Sequence, residues 1–355
     1  MPLSRRDLLI LPPALALAHA GSALAQAETA AEPTDKPPET LRFLLNSGPS
    51  GANAWFFVAQ DRGFFRDEGL DIRFTDGRGA YTAAPRQFAE GFDLGYGDIN
   101  SLIEVAAVHP GQAPIGVYMM FSQTPAVIGV NAKGPIKAPQ DLAGRRFSAH
   151  ASDVALSLWP PYAAATGVSP ASIKPQIADV SPAKLVSAML DGQSDGIFGY
   201  FTTLTAAAMT NNLDPAKVLR FLRFDEALPD FYGSAVMASQ ALVTERPGVV
   251  ARAVAAINRG VIATIADPDA AIAAVLKRAP DARRDVELVR LQGTLAREMA
   301  HPEGKTIGIG DADDGRLGRS IAILAKTKGL PTTPPLRAIF RRDFLPPLDE
   351  RPIRV

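Results

Sequence analysis

The stretch Trp55–Phe74, WFFVAQDRGFFRDEGLDIRF, decides the fold. Six of its twenty residues are aromatic. Apolar residues at Trp55, Val58, Ala59, Phe64 and Phe65 recur at roughly helical spacing, which predicts a helix over 54–68. Gly69 fits the left-handed position that closes a helix. LDIRF then alternates apolar and polar residues, as a half-buried strand does. Upstream, LRFLL from Leu41 reads as a buried strand and NSGPSGAN as a loop, with Asn53 placed to cap the helix. Strand, helix and strand in succession make a βαβ unit.

Working outward, the order repeats. A helix around 82–90, the strand DLGY, a helix over 99–108 and the strands IGVYMMF and AVIGV follow. This alternation implies an α/β fold with a parallel sheet. At Asn131 the segment NAKGPIKAPQDLAGRR, rich in Gly, Pro and Lys, reads as a crossing. A second series then runs through RRFSA, a helix near 152–166, IKPQI, PAKLVSAMLDG, DGIFGY, a helix over 202–211 and VLRFLRF. After DFYGSAVMAS the chain reads as mostly helical, over 247–266, 269–279, 285–300 and 313–327. The expected division is lobe one over 41–131 plus 233–330, lobe two over 132–232, and a Pro-broken tail over 331–355 wrapping the surface, with a ligand cleft between the lobes.

Composition narrows the function classes. The 37 basic and 37 acidic residues cancel, so no charge excess points to a nucleic-acid or membrane-surface partner. The absence of cysteine excludes disulfides, thiolate metal sites and thiol nucleophiles. No cofactor or metal is expected. The N-terminus, MPLSRRDLLILPPALALAHAGSALAQ, has a charged start, an apolar middle containing His19 and a small-residue end. It reads as a signal peptide over 1–25, and Arg5–Arg6 resembles a twin-arginine export signal with Leu8 and Ile10 departing from it. A polar leader over 26–40 follows, and no later run reads as a membrane span. The expected location is the periplasm, without membrane insertion.

The segment FFVAQDRGFFRDEGLDI resembles the A-x-x-x-G-x-F-x-x-E-G-L-D-V signature of solute-binding proteins of bacterial ABC importers, in the nitrate, sulfonate and taurine branch with its thiamine-pyrimidine relatives. FDLGYGDI, IKAPQDLAGRRF, TGVSPASI, MLDGQSDGIFGY and FLPP continue the resemblance in order, from Leu41 to Pro347. It implies a two-lobed periplasmic binding protein fold of type II, hinged, that closes on a small-molecule solute. It further implies delivery to an ABC permease and its ATPase. Other readings are a ligand sensor for a membrane receptor, or a thiamine-pyrimidine synthesis enzyme; the latter's cysteine motif is absent here.

Candidate ligand residues lie at strand ends and helix starts. Asn46 and Ser47 follow the first strand, with Trp55 near them. In GYGDIN, Gly97 permits close backbone approach, while Asp98 and Asn100 open a helix whose N–H groups favour an anion; an Asp98 that faces the cleft would instead favour an amine or N–H group. Phe121 and Gln123 stand near the hinge, and His150 and Ser152 form the first turn of lobe two. Tyr200 and Thr202 pair an aromatic with a hydroxyl at a helix start, and Tyr232 lies at the return crossing, as hinge or contact. With no arginine cluster at these turns, the residue types favour an organic solute with a flat apolar part and one polar or acidic end.

Overall fold

The computed structural model describes residues 37–351, so the expected signal peptide and most of the leader lie outside the described residues. Ten strands form two five-stranded sheets. They are β1 Glu39–Leu44, β2 Leu70–Thr75, β3 Leu94–Asp98, β4 Ile115–Met119, β5 Ala126–Asn131, β6 Phe147–Ala149, β7 Gln176–Ile177, β8 Gly196–Tyr200, β9 Leu219–Arg223 and β10 Ser234–Ala238. The orders are β2-β1-β3-β10-β4 and β7-β6-β8-β5-β9.

Neither sheet is purely parallel, contrary to the expectation from βα alternation. β10 runs antiparallel to both β3 and β4, and β5 antiparallel to both β8 and β9. In each sheet the reversed strand is the one laid down as the chain passes between the lobes. SAVMA, the core of β10, carries no period-2 alternation because all five of its residues are buried. The first crossing therefore occupies 120–125, ahead of β5, and the boundary expected at Asn131 lies inside lobe two. The reason is local: β4 ends at Met119, and Pro125, which cannot donate to a ladder, stands immediately before AVIGVN.

The two crossings are bonded side by side. Thr124 N donates to Phe231 O at 2.8 Å, Gly233 N to Phe121 O at 3.1 Å, and Phe121 N to Ser234 O at 2.9 Å. A Cβ on Gly233 would lie 2.9 Å from Pro125 Cδ and 3.0 Å from Phe121 Cβ, so glycine lets the two connections touch.

The opening stretch forms two helices, Ala54–Asp61 and Phe64–Asp67, because Gly63 adopts φ 78° and breaks the run. Asn53 does not cap with its side chain. It turns back, accepting from Ser50 N at 2.9 Å and donating to Gly48 O at 3.1 Å. Phe56 sets its ring edge-to-face at 5.0 Å from both Phe43 and Tyr96, which fixes the helix over the sheet. Behind it packs Pro247–Ala266. By length and composition that helix is apolar enough to cross a membrane, contrary to the expectation of no such run, yet Val250, Ala253, Val254 and Ile257 are fully buried in the lobe-one core. The tail does more than wrap the surface. Ile339 and Phe340 are buried, and Arg341 N donates to Gly116 O at 2.9 Å, covering the β4 edge.

Gly97 makes room for a neighbouring helix. A Cβ there would lie 2.3 Å from Ala83 Cβ and 2.7 Å from Ala80 O, on the helix Ala80–Glu90. Gly97→Ala is expected to destabilise the chain by roughly 1–3 kcal/mol through overpacking. Urea unfolding would show a lower midpoint at unchanged slope; an unmoved midpoint would contradict this packing.

Candidate functional site

The site forms where the C-terminal ends of β3 and β8 face one another. Asp98, the last residue of β3, is fully buried and caps the helix Ile99–Val108. Its Oδ1 accepts from Asn100 N at 2.9 Å and Asn100 Nδ2 at 2.8 Å. Its Oδ2 accepts the hydroxyl of Tyr200, from the other sheet, at 3.2 Å. Asn100 also donates to Tyr232 O at 2.9 Å, tying this helix start to the return crossing. Burial pushes Asp98 up to about 6, against the pull of the Asn100 and Tyr200 hydrogen bonds. Burial, then the charges of Asp98 and Asp153, hold the Tyr200 phenol well above its usual range, so it stays a donor.

Beside this contact stands an aromatic wall. Trp55 meets Tyr96 at 6.2 Å and Phe121 at 6.4 Å, both edge-to-face, and Tyr96 meets Phe121 at 6.3 Å. The fourth side comes from a distant part of the chain. The helix Arg284–Gly293 widens into a π-helical turn, Thr294–Glu298, a geometry that often marks functional positions. Ser122 Oγ donates to the Glu298 carbonyl at 3.3 Å, and Gln123 N donates to the same oxygen at 3.3 Å, which holds that turn against the first crossing. Burial pushes the Glu298 carboxyl up to about 8. Thr202 and Thr294 stand close enough to oppose that shift, yet neither carboxyl oxygen completes a hydrogen bond among the described residues.

The candidate residues divide accordingly. Trp55, Asp98, Phe121, Tyr200 and Thr202 converge on this site. Asn46 and Ser47 engage their own loop: Ser47 Oγ donates to Asn46 Oδ1 at 3.2 Å and Gly48 O at 3.0 Å. Gln123 turns its amide to the Arg297 carbonyl. Ser152 abuts Gly79 of lobe one, whose Cβ would sit 2.7 Å from Ser152 Oγ. His150 Nε2 is buried without a partner. Tyr232 is a hinge buttress: its hydroxyl donates to Glu303 Oε2 at 3.0 Å and accepts from Asp313 N at 2.8 Å, and Arg316 lies 4.3 Å above its ring. Sequence reasoning missed Tyr96, Ser234, Thr294 and Glu298. Tyr96 was recoverable, because period 2 places it on the same strand face as Asp98.

The lobes are closed on one another. Away from the site, Glu104 accepts from Lys328 Nζ at 2.6 Å, Tyr81 OH at 2.9 Å and, across the lobes, Ser157 Oγ at 3.2 Å. One apolar cluster joins Ile99 and Leu102 of lobe one with Val154 and Leu158 of lobe two. The opening beside Gln123 and Glu298 has a volume of about 10 Å³, room for about one water.

Residues 52–271, more than half of the chain, match the family model described as NMT1/THI5 like. The chain belongs to the NMT1/THI5-like family. No curated protein sequence matches it. Among solved structures it is similar to the alkanesulfonate-binding protein SsuA from Xanthomonas axonopodis pv. citri bound to MOPS, with TM-score 0.65 and 18% identity, covering 86% of this chain and 99% of that one. The periplasmic aliphatic sulphonate binding protein SsuA from Escherichia coli gives 0.62 and 16%, covering 86% and 92%. A cysteine-to-serine variant of DszB in complex with biphenyl-2-sulfinic acid gives 0.59 and 14%, covering 88% and 98%. The architecture is thus that of periplasmic binding proteins, on which an enzyme has also been built.

The raised Glu298 carboxyl has a stability consequence. An acid whose pKa is higher folded than unfolded binds its proton more tightly when folded. Its cost is absent well below 4.5, grows as pH rises, and is complete above about 8. Glu298→Gln is expected to stabilise the fold at pH 8, by on the order of 4 kcal/mol at most, which a higher melting temperature would show, and to change little at pH 4.5. A difference independent of pH would contradict the burial of an unpaired carboxyl.

Proposed function

We propose that this chain is the extracytoplasmic solute-binding component of an ABC importer, which captures a small organic solute by hinge closure and presents the closed form to a membrane permease. The observation that carries the reading is the Asp98–Tyr200 contact between lobes, beside a set of buried polar atoms without partners. Buried polar groups without partners are costly. A solute that supplies partners favours the closed lobes by that difference, which is how capture and closure become one event. Family membership, the fold of the SsuA relatives and the export-like N-terminus support the same reading. Transport by way of the periplasm, with a permease and its ATPase as partners, follows from it.

A binding role fits the residues better than catalysis. The chain contains no cysteine, so no chemistry through a thiol is open to it. Asp98 is committed to a helix cap and to Tyr200, leaving no carboxylate–histidine–hydroxyl arrangement at the site.

Thermal unfolding of the mature chain against sulfonates, organic acids, heterocycles and amines tests capture. A solute at a hundred times its Kd stabilises by about 2.7 kcal/mol, several degrees in midpoint. Tyr200→Ala is expected to weaken the binding of any hit at least tenfold, because it removes both a wall of the site and the contact that closes it. Unchanged affinity would remove Tyr200 from the site, and silence across every class would overturn solute capture.

A further inference from the structure

We infer that Glu298 and the aromatic wall beside it form a subsite for the positively charged nitrogen of an organic amine, so that the captured solute is a cation carrying an acceptor group and not a sulfonate anion. This deepens the proposed function and rests on it. Five side chains from four parts of the chain present buried polar atoms with no partner among the described residues: Trp55 Nε1, Tyr96 OH, Ser234 Oγ, Thr294 Oγ1 and both carboxyl oxygens of Glu298. All five residues are 1% exposed or less. A carboxylate offers about four lone-pair sites, and leaving them empty in the interior is among the costliest arrangements a fold can hold. The π-helical turn aims this one group inward, and Ser122 and Gln123 clamp the turn in place.

The surrounding charges give the ligand its sign. Tyr96 feels the negative charges of both Glu298 and Asp98, so the two carboxyls share one neighbourhood. The rings of Trp55, Tyr96 and Phe121 pack edge-to-face beside them, and aromatic faces attract cations. One guanidinium lies within electrostatic reach: that of Arg297, whose charge pulls the Glu298 carboxyl down against the effect of burial. Arg297 lies with its guanidinium 4.0 Å over the Phe201 ring, and Arg223 pairs with Asp225 and Glu226. A sulfonate would meet two carboxyls, while the one cation in reach, Arg297, is stacked on the Phe201 ring. An ammonium would satisfy Glu298, while an acceptor elsewhere on the same solute would take the Trp55 N–H, which can only donate.

The titratable groups coupled to Glu298 are Tyr96 on β3 and Arg297 beside it, with Asp98 coupled in turn to Tyr96. A bound ammonium favours the ionised carboxyl. Below about pH 8 its binding therefore expels a proton, and affinity climbs with pH towards that value.

The test is calorimetric titration of the mature chain with matched probes, tyramine and 2-phenylethylamine against 4-hydroxybenzenesulfonate and benzenesulfonate, at pH 6 and pH 8. The expected result is measurable amine binding, tyramine tighter than 2-phenylethylamine, at least threefold tighter at pH 8, and weakened tenfold or more by Glu298→Gln. Thr294→Val, which keeps shape and removes the hydroxyl, is expected to weaken it less. Sulfonate binding without amine binding would overturn the cation subsite and leave solute capture standing. Binding of neither class would also overturn it, and the broader solute panel would then decide capture by itself. Amine binding that Glu298→Gln leaves intact, with that variant folded by its melting curve, would place the amine elsewhere and overturn the assignment.

Discussion

A single hydrogen bond, from the Tyr200 hydroxyl to the buried carboxyl of Asp98, sets the geometry on which the rest of the structure depends. It joins the ends of two strands from different sheets. It can form only when the lobes are shut, and forming it buries the surrounding side chains. Asp98 serves two masters: one oxygen caps the helix Ile99–Val108 and the other receives the second lobe. The rigidity of lobe one is thereby carried to the cleft. Burial costs the carboxyl much of its preference for the ionised form, so the contact holds only while its hydrogen bonds compensate.

Closure also needs connections that bend without slipping. Both crossings run side by side, bonded through Phe121, Thr124, Phe231, Gly233 and Ser234, and each delivers a reversed strand into the fourth place of a five-stranded sheet. Behind them, Tyr232 is clamped by Glu303, Asp313 and Arg316. The ion pair of Arg316 with Glu303, at 2.6 Å, is shielded on both sides. The proposed closure would therefore bend only the short connecting segments and leave each lobe's hydrogen-bonded core intact.

Much of this was legible in the sequence, for identifiable reasons. The first βαβ unit announced itself through helical spacing, a closing glycine and an alternating strand, all local signals. The strand ends that hold Asp98 and Tyr200 followed from the same alternation, since ligands gather at the carboxyl ends of such strands. What failed was non-local. β10 is buried on both faces and shows no alternation, so its reversed direction and interior place had no signature. The crossing at 120–125 lies between two apolar runs that read equally well as neighbours in one sheet. Glu298 looked like one more acid in a polar helix, 200 residues beyond Asp98 in sequence. Only the return of the chain, and a helix that widens at Thr294, turn it inward. The packing at Gly97 was hidden for a simpler cause: sequence shows that a side chain is absent, and the fold alone shows which helix occupies the space.

The central claim is that the lobes part and close around this site, and the distance between them measures it most directly. The chain has no cysteine, so Arg78→Cys and Ala151→Cys, both exposed and each one residue from the Gly79–Ser152 contact across the rim, would carry the only two spin labels. Pulsed dipolar spectroscopy of the labelled chain, with and without a solute that stabilises it, would then read the gap. The account predicts a broad or long distribution without solute that collapses to one short distance at saturation. One unchanged distance in both conditions would contradict hinge closure as the means of capture.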